Sequence, residues 1–455
     1  MLDLNKQETV THTLQDLHSA HYMEHLAQVN QTQDVVTSQD IYNTQGVLVA
    51  RKDMNIHHET ARRIAQHKLV TAIEQQIVIS NGITSPSLIQ SFEELCTQAP
   101  DIKKIHDTFR FEKDFYVIFS SRPLHSILLQ KLTVLKNQKP LLFTQSLFCA
   151  WLAALIAREM NIPPLDLYSV TMAALVRDVG LLHLPPVLLD KASTYTPQDW
   201  HAMQSHSIVG SILIQNANGM PATMARAVIE HHERYNGMGY PRGAEGGQLY
   251  LPGQVVALAD SVAALRFKKL SEAERNVRDA IPFLQMNGEA FHPAVRAMMH
   301  NILGKSNLPR TNTSREKTDT DLVAQLHDDA LAIQRAVNML INLPPELIDP
   351  NNHKGKHGKT LAKVITQVLG IIIKSGLVNE EIITWLDAKK SSPEDVDMAE
   401  LCEMELMQAE LLWQLNKVQR TLNAFFAEEV QNAHPAWQAL KRYADHLWPT
   451  HAPGK

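Results

Sequence analysis

Apolar residues recur at helical spacing along most of this 455-residue chain, and the exceptions come early. DIYNTQGVLVARKDMNI, from Asp40, alternates apolar and polar positions around a polar centre. It predicts a short strand, a turn at Asn43–Gly46 and a second strand through Val47–Val49. His57 to Leu69 returns to a helical pattern. Ser85-Pro86 predicts a helix start, with Ser85 as N-cap and Pro86 as the first helical residue. FYVIFSS, from Phe115, reads as a strand or a buried extended piece. A small α+β domain is therefore expected at 38–125, after a polar segment at 1–37.

From 130 to 303 the pattern is helical throughout. Its most apolar stretch, Leu141 to Ala157, is broken by Thr144, Gln145 and Ser146 and is short for a membrane span, so it predicts a buried core helix. PRTNTSREKTDTD, at 309–321, reads as a linker. The remainder, 322–455, is helical again. Within it Met404, Gln408, Leu411, Leu415, Val418, Leu422 and Phe425 alternate spacings of four and three, a heptad seam. Packing within a C-terminal helical bundle and a homo-oligomer through these helices both satisfy that seam. The expected fold class is mainly α.

Composition narrows the function. The chain is 44% hydrophobic and 20% charged, so it can bury a large core. Its net charge of −5 gives no basic footprint for nucleic acid. Cys96, Cys149 and Cys402 are too few for a disulfide framework, which fits a reducing compartment. MLDLNKQETV lacks the basic and apolar regions of a secretion signal. A cytoplasmic protein without a membrane span is expected.

Four segments place Asp or His where a metal could use them. AALVRDVG ends a helix at Arg177-Asp178. TPQDWHAMQSHSIVG predicts a helix with Thr196 as N-cap, Pro197 first and Asp199 as the capping-box acid, carrying His206. PATMARAVIEHHERYNGMGYPRG predicts a helix from Pro221 that presents His231-His232-Glu233 and ends at Asn236-Gly237. VVALADSVAAL is a helix carrying Asp260. Imidazole nitrogen and carboxylate oxygen suit catalytic first-row divalent metals. Helical neighbours point about 100° apart, so His231 and His232 are expected to serve different ions, or one an ion and the other a phosphate. Singly, each residue reads more readily as a hydrogen-bonded or solvated side chain than as a metal ligand. His183, five residues after Asp178, reads more readily as a surface loop residue than as a substitute ligand. HKGKHGK, from His353, reads as a solvated basic loop rather than a phosphate cradle.

The order of these segments resembles the HD-GYP family of the HD phosphohydrolase superfamily. Gly239-Tyr240-Pro241 stands at the GYP position. RDVGLLHLPP is similar to the family's HDIGKIGIP segment, MQSHSIVG to the segment with its next His, and ALADSVAAL to AVADVFDAL. GEAFHPAV, from Gly288, is similar to a closing GTxFDPxVV segment with His292 in place of Asp. The resemblance implies an HD-type helical domain at 130–303 and hydrolysis of cyclic di-GMP on two or three iron or manganese ions. It assigns metal ligation to Asp178, His206, His231, His232 and Asp260, and substrate contact to Tyr240, Pro241 and Arg242.

Several family positions are altered. Arg177 replaces the doublet His, Gln145 an upstream His, Leu181 a phosphate-contacting Lys, and Ala263 the Asp of FDAL. Arg keeps its proton and so cannot ligate a cation. Its guanidinium is expected to lie between Asp178 and Asp260 in place of the first ion. A second position, with Asp178, His206 and His231 or His232, stays open for one iron or manganese ion or none. The resulting expectation is a degenerate signalling protein: a cyclic di-GMP sensor or a regulator that binds partners such as GGDEF-domain proteins. An active cyclic di-GMP phosphodiesterase, and a scaffold without nucleotide or metal, are the alternatives.

Overall fold

The computed structural model describes residues 20–189, 195–270, 275–311, 318–353, 356–391, 396–428, 434–446 and 448. The chain is mainly α and divides into two compact units. One runs to Phe267 and takes in Glu289–Asn307. The other comprises Lys268–Gly288 and the chain from Leu308 onward.

The first unit opens with α1, helical over 20–29. Strands β1 (Val35–Thr37) and β4 (Ile77–Ile79) pair antiparallel, as do β2 (Ile41–Tyr42) and β3 (Leu48–Ala50). The turn between β2 and β3 falls where the pattern puts it. Asn43 Oδ1 accepts from the Gln45 and Val47 amides, and Gly46 takes a φ of +77°. Helix α2 is His58–Ala65. All four strands lie between 35 and 79, so the rest of the expected α+β segment is helical. Its helices are α3 (Ser85–Gln98), α4 (Pro100–Thr108) and α5 (Glu112–Ser121). FYVIFSS belongs to α5, not to a strand. Phe115, Ile118 and Phe119 fall on one helical face and are buried, a 3–4 spacing hidden inside an apolar run. The N-cap of α3 is Thr84 rather than Ser85: Thr84 Oγ1 accepts from the Ser87 amide while Ser87 Oγ accepts from the Thr84 amide.

The central helices follow. They are α6 (Ser126–Gln138), α7 (Pro140–Glu159), α8 (Pro164–Val176), α9 (Pro186–Leu189), α10 (Pro197–Gln204), α11 (His206–Asn216), α12 (Ala222–Glu230) and α13 (Leu251–Leu265). Helix α7 is long and apolar enough to cross a membrane, yet fourteen of its twenty residues are buried here. It packs against α6, α8 and α13, the arrangement expected of a helix that is apolar on all sides. One segment interrupts the expected 130–303 block: α14 (Ala280–Met286) sorts with the second unit, whereas α15 (Pro293–Lys305) returns to the first. The physical reason is that α14 buries Ala280, Pro282, Leu284 and Met286 against a helix of the second unit.

That second unit contains α16 (Asp319–Ile341), α17 (Pro345–Ile348), α18 (Lys356–Ser375), α19 (Glu380–Ser391), α20 (Met398–Glu428) and α21 (Pro435–His446). Residues 312–317 of the expected linker lie outside the described residues, and α16 begins inside its expected end, capped by Thr318. The heptad seam lies on α20 and faces α16 and α18 of the same chain. Leu411, Leu415, Val418, Leu422 and Phe425 are buried, and Met404 is half-buried. Gln408, the polar seam position, is also buried and donates Nε2 to the Leu326 carbonyl at 2.9 Å. Helices of the same chain therefore account for this seam.

Leu415 has no exposed surface, so Leu415→Asp places a carboxylate where no water reaches. The variant is expected to lose at least about 3 kcal/mol of stability, measured by urea denaturation. A ΔΔG under about 0.5 kcal/mol would show that the α20 seam is not packed in this way.

Candidate metal centre

Each candidate ligand sits at a helix boundary or faces the core from a helix. Helix α8 ends at Val176 with Arg177 as its C-cap, and a 3-10 turn follows over Val179–His183. Gly180 is essential to this turn. A Cβ there would meet the His206 carbonyl oxygen at 2.0 Å and the Gly210 amide nitrogen at 2.8 Å. The close approach sets Asp178 beside His206. Thr196, Pro197 and Asp199 start α10 as predicted, with both halves of the capping box formed. That helix stops at Gln204, however, and His206 opens α11 instead. Similarly, Pro221 is the N-cap of α12, which ends at Glu230, so His231 is its C-cap and His232 lies beyond it.

The end of α12 changes the geometry of the histidine pair. Helical neighbours would diverge, but beyond the helix the His231 and His232 rings lie 3.9 Å apart at 41°. Asp178, His206, His231 and His232 each place one ligand atom within 4.8 Å of all the others. His206 Nδ1 donates to the Met203 carbonyl at 2.6 Å, and His231 Nδ1 to the Val228 carbonyl at 2.5 Å. In the neutral rings these bonds place the proton on Nδ1 and a lone pair on Nε2. The two Nε2 atoms then face each other at 3.3 Å, with Asp178 Oδ1 3.7 Å from His206 Nε2. Converging lone pairs and a carboxylate form an N/O donor set that fits a first-row divalent ion. Burial, and then the neighbouring His206, lower the His231 pKa to about 4, and burial with His231 pushes His232 well below its usual value. Both are held as the free bases that ligation needs.

The other side of Asp178 belongs to Arg177. Its Nη2 lies 3.0 Å from Asp178 Oδ2, and its Nε donates to Asp260 Oδ1 at 2.7 Å. Nη1 donates to the Ala174 carbonyl at 3.0 Å and reaches Ser146 Oγ at 3.4 Å. The guanidinium is 2% exposed, and its burial is offset by the two carboxylates it joins. For Asp260, burial would raise the pKa, but Arg177 and His231 outweigh it and hold the carboxyl below its ordinary value. Asp260 Oδ2 also lies 3.6 Å from His232 Nδ1. Asp260 is thus held by Arg177 at the edge of the four-ligand group. Gln145 is buried on α7, Leu181 is buried in the 3-10 turn, and Ala263 is buried on α13.

Tyr240 lies tilted against His232, with ring centroids 4.7 Å apart. The loop that carries Tyr240, Pro241 and Arg242 is organised by two buried carboxylates, Glu233 and Glu230, to which the sequence pattern gave no role. Glu233 accepts from the Arg242 and Ala244 amides at 2.8 and 3.1 Å. Glu230 accepts from Arg242 Nη2 at 2.7 Å and from the Tyr250 amide at 2.8 Å. Their signal was available: both acids flank the His pair in IEHHER.

His183 is neither a surface residue nor part of the four-ligand group. It is 3% exposed, its Nε2 is 2.8 Å from Lys131 Nζ, and its ring stacks on Tyr22 at 5.3 Å. Lys131 also bonds Glu74 at 2.9 Å, and burial lowers its pKa to about 8. His292 is the N-cap of α15: its Nδ1 accepts from the Ala294 amide. In HKGKHGK, Lys354 and Gly355 lie outside the described residues, and His353 Nε2 bonds the Leu347 carbonyl at 2.7 Å.

Two stability measurements follow from these bonds. Arg177→Ala leaves Asp178 and Asp260 without their shared counter-charge and is expected to cost about 3–5 kcal/mol at pH 7. One carboxylate pKa then rises above its unfolded value, so the gap between variant and parent should narrow as the pH falls from 7 to 5. A constant or negligible gap would mean that the guanidinium does not neutralise the pair. His231 behaves oppositely. Its folded pKa of about 4 lies below the ordinary 6.5, so the unfolded chain binds a proton first as the pH drops. Metal-free protein should lose stability between pH 6.5 and 4, and His231→Gln should flatten that slope.

Residues 130–295 match the HD domain family. A cyclic di-GMP phosphodiesterase of Thermotoga maritima is 28% identical over 147 residues, which is 32% of this chain and 40% of that protein. A 3'3'-cGAMP-specific phosphodiesterase of Vibrio cholerae is 33% identical over 144 residues, 31% of this chain and 30% of that protein. The match thus spans well under half the length of these relatives. A solved HDG"Y"P protein from Bdellovibrio bacteriovorus aligns with 15% identity and a TM-score of 0.32, covering 59% of this chain and 95% of that one. The HD match takes in every helix that positions the histidine cluster, and the GYP tripeptide lies within it with its tyrosine against His232, so residues 130–295 form an HD domain of the HD-GYP type.

Proposed function

We propose that this chain is a cyclic di-GMP sensor in which hydrolysis is lost or greatly weakened. The observation that carries this reading is Arg177, whose guanidinium bonds both Asp178 and Asp260 at a position where the family pattern has a histidine. A guanidinium supplies positive charge but no open coordination position, so it neutralises the two carboxylates without activating water. Asp178, His206, His231 and His232 would hold one ion, iron or manganese. Such an ion, when bound, polarises a phosphoryl oxygen. The chain's own residues supply little more to the reaction: Leu181 offers no cation to a phosphate, and Arg242 is tied to Glu230 and Glu233. What is left can bind a phosphodiester but lacks a second ion to stabilise the leaving oxygen. The facing Nε2 lone pairs of His206 and His231 favour this reading over a metal-free scaffold.

Metal analysis and product chromatography on one sample test the proposal. After anaerobic loading, about one Mn²⁺ or Fe²⁺ per chain and no linear dinucleotide product are expected. Arg177→His combined with Gln145→His should raise the stoichiometry towards two. Sustained turnover by the parent that disappears in Asp178→Ala would overturn the loss of hydrolysis.

A further inference from the structure

A tryptophan stands half-exposed beside the histidine cluster. Trp200 is the fourth residue of α10, whose first turn is fixed by the Thr196–Asp199 capping box. Its indole meets Tyr240 nearly edge-on, with centroids 6.1 Å apart, and Tyr240 rests on His232 at 4.7 Å. Tyr195 flanks the indole at 6.5 Å. An aromatic path therefore runs from a candidate metal ligand out to a side chain that is 49% exposed.

The inner member of this path is held firmly. The Tyr240 amide donates to the His232 carbonyl at 3.1 Å. The preceding Gly239 is pressed so closely on the turn below that a Cβ would lie 2.4 Å from backbone atoms of His232, Glu233 and Arg234. Tyr240 is thus a fixed wall, and Trp200 extends it outward. Leaving a large indole half in water forgoes much of the stabilisation its burial would bring. Indole carries no titratable group and cannot serve as an acid or base. What it offers is a wide π face, which suits a purine ring. Two ring-to-ring steps, of 4.7 and 6.1 Å, separate His232 from Trp200, and in a nucleotide a ribose separates phosphate from base.

We infer that Trp200 is a purine-stacking platform for a cyclic dinucleotide whose phosphate lies at the Asp178–His206–His231–His232 cluster. The inference rests on the proposed function and names the residue that would select a nucleotide over a bare phosphate. Base–aromatic stacking of the usual strength corresponds to roughly a 5- to 150-fold change in affinity.

The test measures binding of cyclic di-GMP and of inorganic phosphate to full-length, Mn²⁺-loaded parent, Trp200→Ala and Trp200→Phe. Trp200→Ala should weaken cyclic di-GMP about 5- to 150-fold, while Trp200→Phe retains most of the affinity. Phosphate affinity and Mn²⁺ stoichiometry should be the same in all three. Cyclic di-GMP should also quench a fluorescence component that Trp200→Phe lacks. Equal cyclic di-GMP affinity in parent and Trp200→Ala would overturn the stacking role and leave the proposed function intact. Joint loss of Mn²⁺ and phosphate in Trp200→Ala would overturn it too, since the indole would then be supporting the cluster. A parent that takes up Mn²⁺ and phosphate but no cyclic di-GMP would overturn the sensor reading, and this inference with it.

Discussion

The buried guanidinium of Arg177 is the constraint on which the centre of this molecule depends. It joins the end of α8 to α13 through Asp260 and turns Asp178 so that one carboxylate oxygen faces Arg177 and the other faces His206. Burying two carboxylates side by side is costly unless a cation lies among them. A metal ion and a guanidinium solve that electrostatic problem in different ways. The ion is exchangeable and can share its coordination shell with water or substrate. The guanidinium is permanent, and in this site its donors are taken up by Asp178, Asp260, Ala174 and Ser146. Arg177 therefore holds the two carboxylates together through bonds that leave its donors engaged within the protein.

On the other side of Asp178 the problem is left open. His206 and His231 are fixed by backbone carbonyls in the tautomer that exposes Nε2, and these atoms converge. Burial keeps His231 and His232 from filling the gap with protons of their own near neutral pH. One half of the centre is thus internally neutralised and the other half is built to receive charge. That asymmetry separates a carboxylate pair closed by a guanidinium from a group of donors that fits an ion.

Much of this was legible in the sequence, and the parts that were not have identifiable physical causes. Motif order located Asp178, His206, the His231–His232 pair and Asp260, because ligand types at those spacings are rarely arranged in that sequence by chance. The Arg177 bridge followed from the resemblance, which sets Arg177, Asp178 and Asp260 around one ion position, together with the charge of a guanidinium. The placement of His231 and His232 did not follow, since it depends on α12 ending one residue before the pair, and helix ends are weakly encoded when Asn-Gly lies several residues further on. FYVIFSS was opaque because a run of apolar residues fits either period; the α5 helix forms where Phe111, Phe115 and Phe119 stack one turn apart. His183 was opaque for a different reason. Its partners Lys131, Glu74 and Tyr22 come from three other segments, and no local pattern announces a buried Lys–Glu pair.

That Lys131 cluster bears on how the centre is held. His183 ends the same 3-10 turn that begins beside Asp178 and contains Gly180, the residue pressed against His206. Lys131 clamps the far end of the turn to Glu74, which lies just before β4. The turn is therefore fixed at one end by the close Gly180–His206 packing and at the other by a buried ion pair from the strand-bearing segment. Its five residues leave little slack between those two anchors. A shift of Glu74 would pull on His183 and, through the turn, on the position of Asp178 relative to the two Nε2 atoms. One oxygen of that carboxylate faces the guanidinium and the other faces the histidine pair, so its position sets both contacts. The strand-bearing segment thus takes part in setting the geometry of the centre, although it contributes none of the four clustered ligands.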